Sequence, residues 1–201
     1  MRKRTNRGLT FPPEVLSREE VMALMDACAE SPAGARNRAL IVVLYRTGLR
    51  ITEALALEPK DLDLEGGAVR VLRGKGGRSR TVGIDPGAAA VVGEWLAVRE
   101  AWVAEDRSRA AAVFCQRDGR RLESSYIRVL VPRLSGKAGI EKRVHAHGLR
   151  HTHAAELRAE GVDIGIISKQ LGHRCISTTA RYLDHIMPMA VVEAIRGRLW
   201  T

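Results

Sequence analysis

Residues 171–182 read LGHRCISTTARY, and this stretch places a histidine and a tyrosine nine positions apart across a short loop. Gly172 is suited to end a helix, because glycine adopts the left-handed conformation of a helix C-terminus without steric cost. Ser177 is of a type that caps helix N-termini, so a following helix that carries Tyr182 is predicted. We expect this stretch to supply a nucleophile, with the phenol of Tyr182 as the candidate group.

Apolar residues at helical spacing predict that most of the remaining chain is helical. Ser17 and Glu20 form a capping box ahead of a first amphipathic helix. A second apolar segment, Ala39 to Tyr45, is expected to end at Gly48, and a short helix follows over Thr52 to Leu57. Further helices are expected from Pro86 to about Trp102 and near residues 123–135, 147–160 and 163–171, with a short apolar piece from Ala190 to Leu199.

From residue 62 onward the apolar period shortens to that of a strand. β-branched residues on both sides of the glycine-rich turn 74–77 predict a β-hairpin, namely Val69, Val71, Thr81, Val82 and Ile84. The predicted fold is therefore α+β and predominantly α-helical, with a small antiparallel sheet. Residues 1–13 hold four basic residues, no acids and two prolines, so we expect a basic arm or linker remnant there and one folded domain over residues 14–201.

The overall charge narrows the class of partner. A formal net charge of +10 favours a polyanion, and nucleic acid above all, because clustered basic residues release counterions when they meet phosphates. A charge that only aids solubility is the alternative. Three widely separated cysteines and the lack of any apolar run near the roughly 20 residues that cross a bilayer predict a soluble cytoplasmic protein. If its partner is DNA, we expect the protein to be nucleoid-associated when bound.

Two arginines, Arg50 and Arg150, are the candidates for binding a phosphodiester. An enzyme that cuts this anionic group without a metal must neutralise its nonbridging oxygens, supply a nucleophile and protonate the leaving oxygen. A guanidinium stays charged and pairs with phosphate oxygens in a bidentate manner. Attack by Tyr182 would conserve the bond energy in a 3′-phosphotyrosine, so no nucleotide cofactor is expected. Tyr45, in an apolar helix, and Tyr126, without a neighbouring Gly-His pair, are weaker candidates.

Two histidines complete the predicted chemistry. His147 lies three positions before Arg150, on the same helix face, and is the candidate base that helps the phenol of Tyr182 lose its proton. His173 follows the helix-ending Gly172, where an imidazole can donate to a phosphate oxygen. Taken singly, each of these histidines is more often a solvated or structural residue, so the prediction depends on the whole set.

The glycine-rich turn around Lys75 could be a phosphate-binding nucleotide loop or the solvated tip of a hairpin. Its Gly-Lys-Gly-Gly sequence differs from a nucleotide-binding P-loop, which joins a strand to a helix with a wider glycine spacing. A basic hairpin tip is otherwise an ordinary solvated turn. The neighbouring Arg73, Arg78 and Arg80 are predicted to contact DNA backbone phosphates, although exposed arginines also occur without a partner.

A metal site is the rival interpretation of the histidine-rich segment 145–153. His147 and His151 have the helical spacing of metal ligands, but the zinc hydrolase pattern places a glutamate where Gly148 stands. We therefore predict no metal, and we expect His151 to pack against the active-site helix.

Taken together, the segment Thr47–Leu57, the hairpin, His147–His151 and Leu171–Tyr182 resemble the active-site boxes of the tyrosine recombinases, the phage integrase family. The resemblance extends over residues 11–186. It implies a catalytic-domain fold of helices with a small antiparallel sheet. It also implies that Tyr182 attacks a scissile phosphate surrounded by Arg50, Lys75, His147, Arg150 and His173. Lys75 would protonate the leaving 5′ oxygen, and Glu53 would hold the basic groups in place.

The same resemblance implies double-stranded DNA as the partner and site-specific recombination or integration as the function. Recombinases of this family usually carry a helical core-binding domain ahead of the catalytic one. Only a short basic arm stands there in this sequence, so we expect a catalytic fragment with weak, salt-sensitive DNA binding. Four protomers act together in the family and exchange a C-terminal segment, which makes 190–199 the candidate contact in a tetramer.

Two alternatives to recombination stay open: a type IB topoisomerase-like nicking and closing enzyme, and a non-catalytic DNA-binding regulator of the same fold.

One residue departs from the predicted helix pattern. Gly165 interrupts the helix expected over residues 163–171, where glycine costs about 1 kcal/mol relative to alanine.

Overall fold

The computed structural model of the chain describes residues 14–72, 79–103, 112–196 and 198. The helices are α1 (Arg18–Asp26), α2 (Pro32–Thr47), α3 (Ile51–Ala56), α4 (Pro86–Trp102), α5 (Ser124–Lys137), α6 (Ala146–Ala159), α7 (Ile164–Leu171), α8 (Ile176–Ile186) and α9 (Ala190–Arg196), with a 3₁₀ turn at Pro59–Asp61. The strands are β1 (Leu62–Asp63), β2 (Ala68–Val71) and β3 (Arg80–Gly83). The predicted α+β fold, mostly helical with a small antiparallel sheet, is confirmed.

Helix starts follow the local capping signals. Ser17 and Glu20 form the predicted capping box, in which each side chain accepts a hydrogen bond from the other residue's backbone N–H, at 3.2 and 2.7 Å. Asp85 caps α4 by accepting from the backbone N–H of Ala88, and Pro86 occupies the first helical turn. These bonds satisfy helix N–H groups that otherwise have no intrahelical partner.

α2 is the central helix of the main core. Every residue from Ala39 to Tyr45 is buried, and the helix packs against both α4 and α6. A helix buried on all sides needs no polar face, which explains its continuous apolar run. A second core cluster lies between α6, α7 and α8, where Ala154, Ile167 and Leu183 are buried together. The two clusters meet along α6, the helix that carries Arg150.

The three strands form one antiparallel sheet in the order β1-β2-β3. Val69 lies opposite Val82, and Val71 lies opposite Arg80. Gln170 of α7 covers the edge of β3: it accepts from the backbone N–H of Gly83 at 2.9 Å and donates to the carbonyl of Gly83 at 2.9 Å. The predicted hairpin is thereby fixed to the helical body. Its tip, with Lys75, Arg73 and Arg78, lies outside the described residues.

Two local predictions need correction. Ser177 does not cap the helix of Tyr182, because α8 already begins at Ile176 and the extended N-cap residue is Cys175. Gly165 does not interrupt a helix either. It lies in the first turn of α7, where its N–H donates to the carboxylate of Asp163 at 2.8 Å, and a Cβ there would stand 2.9 Å from that oxygen. The glycine therefore permits the close approach of the capping carboxylate.

Cys28 and Cys115 are buried free thiols, and the free thiol of Cys175 is exposed. Among the described residues, no helix combines the length and the apolar character that a bilayer crossing requires.

Candidate active site

Two glycine-terminated helices direct their C-terminal ends toward one guanidinium. α2 ends at Gly48 and α7 ends at Gly172, both in the left-handed conformation, with φ of 63° and 67°. Arg150 of α6 is 2% exposed, and it donates to the carbonyl of Gly48 and, at 2.7 Å, to the carbonyl of Leu171. Carbonyls at helix C-termini lack intrahelical partners and favour a cation. Arg150 thus joins the starts of the two loops that follow α2 and α7.

The loop after α7 delivers His173 to the same guanidinium. Its Nε2 lies 3.2 Å from Nη2 of Arg150, and its Nδ1 lies 2.9 Å from Oγ1 of Thr179. Because a guanidinium can only donate, Nε2 must accept, and the ring proton therefore sits on Nδ1. Burial, followed by the charges of Arg150, Arg50 and Arg80, lowers the pKa of His173 to about 4. The unliganded imidazole is therefore neutral at pH 7.

The loop after α2 delivers Arg50, which is held by Glu53 in the first turn of α3. One carboxylate oxygen accepts from Nη1 of Arg50 at 2.9 Å, and the other accepts from the Arg50 backbone N–H at 2.9 Å. Arg80 donates to the same two oxygens at 3.0 and 2.9 Å. Burial alone would raise the pKa of Glu53, but the bonds from Arg80 and Arg50 outweigh it and lower that pKa to about 2. The carboxylate is therefore ionised and shared by two arginines.

Arg80 consequently occupies a different place from the exposed DNA-contacting arginine that the sequence suggests. Its side chain is 16% exposed, and both of its terminal nitrogens are engaged by Glu53. The reason is tertiary: folding brings the side chain of Arg80, the first residue of β3, within hydrogen-bonding distance of the buried carboxylate of Glu53. Contact between Arg80 and DNA stays a prediction.

Tyr182 stands on α8 among three imidazole rings. Its ring stacks on His151 at a centroid distance of 5.1 Å, and the rings of His173 and His147 lie 5.5 and 6.4 Å away. The ring also packs against the second core cluster. The hydroxyl is buried and has no hydrogen-bond partner among the described residues. Burial raises the pKa of Tyr182 to about 12, although the charge of Arg150 acts in the opposite direction. The unliganded phenol is therefore protonated.

The histidines of the segment 145–153 serve different purposes. His145 caps α6 by accepting from the backbone N–H of Gly148 at 3.0 Å, and a Cβ on Gly148 would stand only 2.7 Å from that imidazole nitrogen. His147 is exposed at one side, while its ring contacts His151 at a centroid distance of 4.5 Å. Partial burial and then the charge of Arg150 lower the pKa of His147, which keeps it in the basic form.

His153 lies on another side of α6, against Gly48, where a Cβ would stand 2.6 Å from its ring. Within residues 14–72, 79–103 and 112–196, no group of three or more His, Cys, Asp or Glu side chains could hold a metal ion.

Lowering the pH from 6.5 to 5 is expected to reduce the free energy of unfolding. Burial, ahead of neighbouring charges, lowers the pKa of His151 to about 3 and those of His153 and His173 to about 4. Histidines of the unfolded chain take up protons as the pH falls below about 6.5, whereas these three do not. Their stabilising contribution is therefore complete above that pH and is lost toward pH 4.

Urea unfolding at several pH values measures this effect. Each unit of difference between the folded-state and unfolded-state pKa of a histidine corresponds to about 1.4 kcal/mol. Replacing the buried His153 by glutamine should make the slope with pH shallower, because one of the three contributions is removed. A free energy of unfolding that stays flat from pH 6.5 to 5 would contradict the prediction.

The structure brings most of the predicted site residues together around Tyr182 and Arg150. Arg50 arrives from the start of α3, Arg150 and His147 from α6, His173 from the loop after α7, and Tyr182 from α8. The predicted Lys75 lies outside the described residues. Sequence reasoning missed Thr179, Gln170 and the capping role of His145. Only His145 had a local signal, since it directly precedes a predicted helix and has a glycine three positions later.

Comparison with known proteins identifies the family of this chain and several of its relatives. The family model described as "Phage integrase family" matches residues 14–188. Tyrosine recombinase XerC of Xanthomonas axonopodis pv. citri (strain 306) is 35% identical over 170 residues, which cover 85% of this chain and 53% of that protein. Tyrosine recombinase XerD of Oceanobacillus iheyensis is 33% identical over 170 residues, covering 85% of this chain and 57% of that protein. The chain spans about half the length of the curated relatives it matches.

Solved structures agree with the sequence relatives. The crystal structure of XerA recombinase is similar with a TM-score of 0.80 and 28% identity, covering 96% of this chain and 68% of that one. XerH site-specific recombinase, bound to palindromic difH substrate in a post-cleavage complex, gives a TM-score of 0.74 and 30% identity over 92% of this chain and 53% of that one. Because the family match spans almost the whole described fold, this chain belongs to the phage integrase family.

Proposed function

We propose that this chain cuts and rejoins DNA strands through a covalent 3′-phosphotyrosine, and that it acts in site-specific recombination. The single observation that carries the proposal is the grouping of the Tyr182 ring with the imidazole of His173 and, through that imidazole, with the guanidinium of Arg150. The kinship with XerC and XerD, which are tyrosine recombinases, supports the same activity.

Binding of the scissile phosphate is assigned to Arg50 and Arg150. Both guanidinium groups are cationic and preorganised, Arg50 by Glu53 and Arg150 by two helix-end carbonyls. Preorganised donors stabilise the charge that develops on the nonbridging oxygens without further reorganisation. An anion bound beside Arg150 would also raise the pKa of His173, so that its Nε2 gains a proton and donates to a phosphate oxygen instead of accepting from Arg150.

The nucleophile and its base are assigned to Tyr182 and His147. In the proposed step, His147 takes the phenolic proton, the phenolate oxygen bonds to phosphorus, and the bond from phosphorus to the 5′ oxygen breaks. Lys75 is the predicted donor of the proton that the departing 5′ oxygen needs. Rejoining reverses the same bonds, so no external energy source is consumed.

The proposed partner and assembly rest on the net charge, on a solved relative and on the exposed apolar residues of α9. The net charge of +10 suits double-stranded DNA, and the solved relative XerH is bound to a DNA substrate. α9 exposes Val192 and Ile195, at 42% and 60%, which suits a contact between protomers. We therefore propose segment 190–199 as the contact within a tetramer on DNA, and residues 14–201 as the catalytic unit.

A library of nicked duplexes with randomised sequence tests the proposed function. Cleavage next to the nick releases a short fragment, which traps the covalent complex, and a denaturing wash then retains only DNA joined to protein. We expect the retained DNA to share one sequence, because site-specific recombination requires a defined site. Adding a second duplex that carries that sequence should produce joined strands.

Other outcomes of this assay would replace the proposal. Retained DNA of no common sequence, together with relaxation of supercoiled plasmid and no strand joining, would indicate a nicking and closing enzyme. Salt-sensitive DNA binding without any covalent complex would indicate a DNA-binding regulator of the same fold.

A further inference from the structure

We propose that Arg80 is a positioning residue for strand cleavage, which fixes Arg50 through their shared partner Glu53 and so connects the base of the β-hairpin to the phosphate-binding site. This inference rests on the proposed function. It assigns Arg80 a role different from direct contact with the DNA backbone.

The first support is the hydrogen-bond pattern around one carboxylate. Glu53 is 1% exposed at its side chain, so bulk water cannot stabilise its charge. Arg80 forms a bidentate ion pair with this carboxylate, at 3.0 and 2.9 Å. Arg50 donates to the same carboxylate from one guanidinium nitrogen and from its backbone N–H. Removing one partner from a buried ion pair leaves a poorly compensated charge. We therefore expect loss of Arg80 to rearrange the contact between Glu53 and Arg50.

The second support is the charge balance of the trio. Two guanidinium groups share one carboxylate, so Arg50, Glu53 and Arg80 together carry a net positive charge. With Arg80 absent, Glu53 would neutralise Arg50 alone and weaken its attraction for phosphate. Arg80 therefore keeps Arg50 both oriented and electropositive.

The third support is the location of Arg80 in the fold. It opens β3 five positions after Lys75, and its guanidinium lies against Gly172, where a Cβ would stand 2.7 Å from both Cζ and Nε. Gly172 directly precedes His173 in the chain. One side chain therefore contacts the glycine beside His173 and the carboxylate that holds Arg50, while its backbone anchors the hairpin.

The test compares Arg80→Gln and Arg80→Lys with the unmodified chain in single-turnover cleavage of the nicked duplexes. We expect both variants to cleave about 10- to 100-fold more slowly, because small displacements of a catalytic group have effects of this size. Lysine retains the charge but cannot form the bidentate ion pair with Glu53, so it should not restore the rate. Arg158→Gln, which changes an exposed arginine of α6, is the matched control and should cleave normally.

Two readouts separate positioning from DNA contact. The slope of DNA affinity with salt concentration should be unchanged in Arg80→Gln, whereas loss of one phosphate contact would reduce it by about 1. In a Glu53→Gln background, Arg80→Gln should add little further loss, because both residues act through the same contact. A reduced salt slope with a normal cleavage rate would overturn the proposal, as would fully additive losses.

A spectroscopic readout distinguishes failure of this inference from failure of the proposed function. The side-chain Nε–H resonance of Arg50 should shift in Arg80→Lys, whether or not the chain forms an adduct. An unmodified chain without any adduct would remove the proposed function, while an unshifted Arg50 resonance would remove the positioning role. Should Arg80→Gln fail to fold, Arg80→Lys provides the same resonance test.

Discussion

The variant Tyr182→Phe is expected to form no covalent adduct with nicked DNA while it keeps its fold and its DNA affinity. The substitution removes only the attacking oxygen, and the ring that stacks on His151 remains. Since the hydroxyl is buried and makes no hydrogen bond of normal geometry with the described residues, its removal costs at most a weak contact with Arg150. Stability should therefore be unchanged or slightly raised, because an unsatisfied buried hydroxyl is unfavourable.

Two measurements check this expectation, namely a denaturing gel of the adduct and a urea unfolding curve of the same preparation. Tyr45→Phe is the matched control, because the Tyr45 hydroxyl donates a hydrogen bond to Glu156, whereas that of Tyr182 has no such partner among the described residues. That control should lose some stability and keep the adduct. An adduct of normal yield in Tyr182→Phe would show that another residue attacks the phosphate.

Replacing Arg150 by alanine should have the second-largest effect, because it impairs both chemistry and folding. Loss of one preorganised donor reduces the rate of such reactions about 100- to 1000-fold. The same change leaves the carbonyls of Gly48 and Leu171 without their donor, and each unsatisfied buried group costs about 1 to 3 kcal/mol. We therefore expect slow cleavage together with a lower free energy of unfolding.

Arg150→Lys separates the two effects. Lysine keeps a positive charge but lacks the planar fork that spans two helix ends, so partial stability and slow cleavage are expected. Arg158→Ala, on the exposed side of the same helix, should match the unmodified chain in both measurements. Normal cleavage by Arg150→Ala would remove Arg150 from the proposed site.

Local features were predictable where neighbours in the chain determine them. The capping box at Ser17, the helix ends at Gly48 and Gly172, and the start of α4 at Asp85 all depend on hydrogen bonds or backbone conformations within a few residues. Prediction failed for Ser177 because α8 begins one residue after Cys175, before the serine is reached. Capping preference is a statistical tendency, and here the extended residue before α8 is Cys175, which makes no side-chain capping hydrogen bond.

The shape of the candidate site depended on contacts that no local pattern specifies. Arg80 and Glu53 are 27 positions apart, and Arg150 and Gly48 are 102 apart. Nothing near Arg80 in the sequence distinguishes a buried ion-pair partner from an exposed hairpin arginine. The neutral tautomer of His173 also follows only from its neighbours, Arg150 on one ring nitrogen and Thr179 on the other.

The sequence by itself determined the mostly helical fold, the basic character and the residue types that suit phosphodiester chemistry, because spacing and composition are local properties. Only the tertiary structure decided which groups share a partner, which are buried and which hold a proton. Burial and charge act through space, so the raised pKa of Tyr182 and the lowered pKa of Glu53 arise from side chains that folding brings together.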